Sequence, residues 1–134
     1  MKPFDKDMFD KVDRAAREAT KDYIASKGYR AIDNPNKYGA DLIVPGIAYV
    51  ECECKLVWGD EKFPWTEVNL PQRKDKFNKL ELPCMFFVWN KSFTRCVKFN
   101  TGHVQRADLV EVSNKYIESG EKFFKVKGFE EVYA

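Results

Sequence analysis

The chain has almost no histidine: His103 is the only one in 134 residues. It falls in a Thr101-Gly102-His103 stretch that reads as an exposed turn, so histidine-based acid–base catalysis is not the chemistry to expect. Cysteine is sparse as well, with four residues and no Cys-x-x-Cys spacing. Cys52 and Cys54 would share one face of a strand, and Cys84 and Cys96 flank an apolar hairpin. A Cys/His zinc centre would need ligands from scattered strands, so the thiols read as reduced, core-filling groups. No apolar run is long enough to span a bilayer, and Met1-Lys2-Pro3-Phe4-Asp5 lacks the apolar centre of a signal peptide. A cytoplasmic location and no membrane partner are expected. Charge of one sign is lacking too. The net charge is +2 and the pI near 8.3, so any attraction to nucleic acid must come from a local patch.

Core-forming material is plentiful. Apolar residues make up 44% of the chain, with eleven phenylalanines, six tyrosines and three tryptophans, enough for a single domain over residues 1–134. Met8, Val12, Ala15, Ala16, Ala19, Tyr23 and Ile24 recur at helical spacing, and Gly28 follows as a stop. Strands are expected near 40–44 and 47–57, joined through Pro45-Gly46. After a polar break from Gly59 to Pro64, Asn69-Leu70-Pro71 reads as the entry to a second helix ending near Pro83, with Phe77 and Leu80 beneath it. Met85–Trp89 and Arg95–Phe99 read as a second hairpin. Beyond Arg106 the pattern weakens to a short helix at 107–112 and an edge strand or packing tail at Phe123–Val126. No repeat, low-complexity tract or linker interrupts the chain. The expected fold is α/β, a mixed central β-sheet flanked by helices in the order α-β-β-α-β-β.

The densest chemistry lies in Glu51-Cys52-Glu53-Cys54-Lys55. Alternation along a strand sends Glu51, Glu53 and Lys55 to one face and Val50, Cys52 and Cys54 to the other. Asp41 and Glu53 would hold Mg²⁺ or Mn²⁺, with the Cys54 backbone carbonyl as a further ligand, since hard cations prefer oxygen. Glu51 would take a second ion or pair with Lys55, which would orient the attacking water and offset developing charge. Register decides whether Asp41 takes part. A two-residue Pro45-Gly46 loop would set Asp41 opposite Val50, on the wrong side from Glu53. A three-residue connection or a bulge near Val44–Ile47 sets it opposite Glu51 with Glu53 diagonal, and that arrangement is the expected one. The plain alternative is an outer-face salt-bridge ladder.

Asp41 followed across a hairpin by Glu53-Cys54-Lys55 resembles the signature of the PD-(D/E)XK nuclease superfamily, and the element order matches over roughly residues 8–99. Ala40 stands where the family's name has proline. The resemblance implies a restriction-endonuclease-like core and a divalent-metal-dependent deoxyribonuclease, an endonuclease. It also implies a further acid from the first helix, for which Glu18 is the candidate, and Gln72 on the second helix approaching the metal. In size and spacing the chain is most similar to small Holliday-junction resolvases and phage-type (VRR-NUC-like) nucleases, which act on branched or structured DNA and commonly form homodimers. Arg73, Lys74, Lys76 and Lys79 on the second helix, and Arg14, Arg17 and Lys21 on the first, are the candidate phosphate contacts. Trp58, Phe63 and Trp65 would stack on an unpaired base or close over the core, with core packing expected for at least two. The rival reading is a non-catalytic DNA-binding or assembly module that retains the fold.

Overall fold

A computed structural model of the chain describes residues 5–114 and 117–133. Helix α1 (Lys6–Ser26) begins where Asp5 Oδ1 accepts the Met8 N–H at 3.1 Å, satisfying an otherwise orphaned donor of the first turn. Gly28, at φ +88, turns the chain after its end. Among the described residues nine strands follow: β1 (Ile32–Asp33), β2 (Leu42–Val44), β3 (Ala48–Cys54), β4 (Val68–Pro71), β5 (Cys84–Trp89), β6 (Arg95–Asn100), β7 (Asp108–Asn114), β8 (Ile117–Val126) and β9 (Glu130–Tyr133). A 3-10 helix (Gln72–Lys79) precedes β5, and a short helix α2 (Thr101–Gln105) follows β6. No helix among the described residues is long and apolar enough to cross a membrane.

The main sheet has six strands in the order β1-β2-β3-β5-β6-β9, and its one parallel contact is between β3 and β5. A parallel neighbour demands a crossover; β4 and the 3-10 helix supply it. Helix α1 covers one face, where Ala16 and Ile24 pack with Leu42, Val50, Cys52, Phe87 and Trp89. Inside this layer the Trp89 indole donates to Thr20 Oγ1 at 2.9 Å, so neither buried polar group goes unpaired. The opposite face packs Phe86, stacked on Phe99 at 4.9 Å, against Val68, Leu70, Phe77 and Val126. A second, three-stranded sheet in the order β4-β8-β7 covers this side. All four cysteines are free, three of them buried.

The structure bears out the mixed α/β class and the first helix, and revises several elements. The segment after Asn69 is strand β4 followed by a 3-10 helix, not an α-helix. Phe77 is its only buried residue and Leu80 is 39% exposed, so the apolar stripe that would hold an α-helix down is missing. Residues 108–112 are strand rather than helix, because Leu109 and Glu111 find cross-strand partners in Phe124 and Lys122. Phe123–Val126 lies in β8, the middle strand of the second sheet rather than an edge. His103 belongs to α2, inside a reciprocal cap with Asn100, and is half-buried.

Candidate active site

Val44 pairs with Ala48, so Pro45, Gly46 and Ile47 form a three-residue connection. The Ile47 N–H donates to the Val44 carbonyl at 2.9 Å, and Gly46 supplies the left-handed turn at φ +75. This odd-length register pairs Leu42 with Val50, and one step on it sets Asp41 across from Glu51. There the two carboxylates replace the regular ladder: Glu51 Oε1 accepts the Asp41 N–H at 3.1 Å, and Asp41 Oδ2 accepts the Cys52 N–H at 3.0 Å. Each acid is therefore pinned by the backbone of the other's strand.

Glu51 is only 7% exposed. Burial, then the charge of Asp41, pushes its pKa up to about 7, while Lys74 pulls the other way. The Lys74 ammonium lies 3.1 Å from Glu51 Oε2. Burial works against its charge, but Glu51, Glu53 and Asp41 outweigh that and raise its pKa. From α1, Asp13 comes up beside this group. Its pKa is also raised, by burial first, with Asp41 adding to the effect and Arg17, 2.7 Å away, opposing it. These side chains line a cleft of about 680 Å³ between α1, the end of β3 and the 3-10 helix. Five carboxylates (Asp5, Asp13, Asp41, Glu51 and Glu53) face two cations, Arg73 and Lys74. Cys54 is in the same wall, its thiol donating to the Asn90 carbonyl at 3.5 Å.

Other expected site residues lie elsewhere. Lys55 points out of the cleft, its ammonium 5.2 Å from the Trp65 ring centre, into a smaller pocket shared with Thr66, Glu67 and Asn69. Glu18 is exposed and paired with Lys21 at 3.4 Å, so it is not the helix acid of the cleft. Gln72 is exposed at the start of the 3-10 helix, outside the cleft lining. The basic stripes are largely committed within the protein: Arg17 to Asp13, Lys21 to Asp33 at 3.1 Å, Lys79 to Asp75 at 3.4 Å, and Lys76 against the Phe77 ring. Arg73, 72% exposed, lies 3.9 Å from Glu121, and Arg14 is exposed. Trp58 and Phe63 are core, whereas Trp65 is 40% exposed.

Two residues in the cleft had different expected roles or none. Asp13 continues the buried stripe of Ala16, Thr20 and Ile24 by one turn, a position that an acid on the inward face of α1 would have signalled. Lys74 is turned toward the carboxylates and is not one of the surface phosphate contacts its sequence position suggests. In a 3-10 helix, residues three apart eclipse one another, so Lys74 shares the inward side of Phe77.

Among the described residues no three His, Cys, Asp or Glu side chains form a ready-made metal cage. Asp41 and Glu51 form a converging pair of hard oxygen donors carrying more negative charge than Lys74 offsets. That suits Mg²⁺ or Mn²⁺, ions that accept one or two carboxylates and keep several waters. No family model, no curated protein and no solved structure matches this chain.

Proposed function

We infer that the protein is a divalent-metal-dependent deoxyribonuclease, an endonuclease acting on branched or structured DNA. One observation carries the reading: Asp41 and Glu51 are brought face to face, half-buried and buried respectively, where the β2–β3 ladder opens into a cleft. Burying two carboxylates side by side is costly, and backbone carbonyls could close the ladder without them. It is useful where a dication binds. Asp41 and Glu51 would hold the ion, with Glu53 on the same wall as a further oxygen donor. Bound there, Mg²⁺ or Mn²⁺ supplies Lewis acidity and a more acidic water.

The chain's own residues do the rest. The Cys52 N–H fixes the Asp41 carboxylate, and the Asp41 N–H fixes that of Glu51, so both are oriented before substrate arrives. Lys74 offsets charge that builds on a phosphoryl oxygen. Asp13 can accept a hydrogen bond from a water beside Asp41. Arg73, exposed at the cleft margin, is available to a phosphate. A second reading, a DNA-binding module without catalysis, draws on Lys74: its ammonium already occupies Glu51.

Purified protein incubated with duplex, single-stranded and four-way-junction DNA separates the two. Cleavage with Mg²⁺ or Mn²⁺ that disappears in EDTA, strongest on the junction, is the expected result. Salt-sensitive binding with no cleavage of any substrate would leave the module reading in its place.

A further inference from the structure

A second pocket, of about 450 Å³, lies between α2 and the β8–β9 turn, with His103, Arg106, Lys127 and Gly128 in its wall. It is remote from the cleft. Glu53 stands beside Val88 near the end of β5, whereas Asn100, from which α2 departs, stands beside Met85 near the start of β5.

The pocket is built to donate hydrogen bonds. His103 Nδ1 faces the Asn100 backbone N–H at 3.1 Å, and a backbone N–H can only donate. Nδ1 also lies 3.0 Å from Asn100 Oδ1, so Asn100 anchors the ring through Nδ1 in either tautomer and leaves Nε2 outside this cap. That Nε2 edge lies along the turn at Gly128: a Cβ there would stand 3.5 Å from His103 Cδ2 and 3.9 Å from Nε2, and the residue's φ is +73. Arg106 folds back over Gly102, where a Cβ would meet its Nη1 at 3.2 Å. Glycine at 102 thus leaves room for the guanidinium. Neither Arg106 nor Lys127 makes an ion pair among the described residues. Lys125 contributes wall, but its ammonium is spent on Asn69 Oδ1 at 2.9 Å and Glu67 at 3.6 Å. Asp108 is the only acid in the lining.

A guanidinium and an ammonium, with the Nε2 edge of an imidazole that donates when it carries the ring proton, match the oxygens of a tetrahedral oxyanion. We propose that His103, Arg106 and Lys127 form a phosphate-binding site, separate from the carboxylate cleft and independent of whether that cleft cleaves DNA. The ligand is a phosphate group, presented either as a free phosphate or as a phosphodiester of a nucleic-acid strand.

Because His103 is the only histidine, its ring signals in an ¹H–¹⁵N spectrum report this pocket without ambiguity. In EDTA, titration with inorganic phosphate or a short DNA duplex should shift the Nε2 resonance saturably. Arg106→Gln with Lys127→Gln should weaken that binding about tenfold or more. Saturation by phosphate alone assigns the site to a free phosphate. Saturation by DNA, with a salt dependence reduced by about two charges in the double variant, assigns it to the backbone. No saturable shift with either ligand, or an equal response in the double variant while the rest of its spectrum is unchanged, would overturn the proposal.

Discussion

A carboxyl that ionises less readily in the folded protein than in the unfolded chain gives up stability as pH rises. Glu51 moves from 4.5 to about 7, so its contribution is complete below about pH 4.5 and is lost as pH passes through 7, at roughly 3 kcal/mol in all. Asp13 is shifted in the same direction, again mainly by burial, and acts with the same sign. The urea midpoint should therefore fall between pH 5 and pH 8, and Glu51→Gln, which cannot ionise, should flatten that fall; an unchanged slope would rule out Glu51 as its source. The two lysines make a second comparison. Lys74 sits on the carboxylates, whereas Lys55 lies against Trp65. Lys74→Met should lower kcat for cleavage by about a hundredfold or more and Lys55→Met by much less. The reverse order would restore Lys55 as the working cation.

Among the elements, the β2–β3 hairpin was the most legible. Leu42 and Val44 had to face the core, and only an odd-length connection could do that while placing Asp41 opposite Glu51. Strand alternation alone put Glu51 and Glu53 on a common face, and apolar content alone marked β5 and β6. The fate of Lys55 was not legible, since it depends on Trp65 arriving from the next loop. Nor was the second sheet, whose strands β4, β7 and β8 come from distant parts of the chain and are stabilised by contacts with one another. The β5–β6 turn hid another such element. Fully buried Asn90 accepts the Thr94 and Arg95 N–H groups at 2.9 Å and donates to the Gly59 carbonyl at 3.0 Å. Asn90→Ala strands all three partners and should cost about 3 kcal/mol in chemical denaturation; a loss below about 1 kcal/mol would mean that water replaces the amide.

In the molecule as a whole, a net charge of +2 conceals a separation: carboxylates crowd the cleft near one end of β5, and donors crowd the α2 pocket near the other. The main sheet is held between α1 and the second sheet, and its outer border on the β6 side is formed by β9. Glu131 of β9 accepts the Phe63 N–H at 3.0 Å and lies 3.4 Å from Arg95, so this last strand is tied to both the loop and the sheet. A chain shortened after Lys127 would leave the β6 backbone with unpaired donors and acceptors, an invitation to a neighbouring molecule to add its own strand. Size-exclusion chromatography of that shortened protein should show stronger concentration-dependent assembly than the full chain, and an unchanged elution profile would argue against it. β9 thus sets the character of the sheet's border: a four-residue strand carrying two glutamates stands where the longer, largely buried β6 would otherwise be the edge, and is a poorer template for a neighbouring copy.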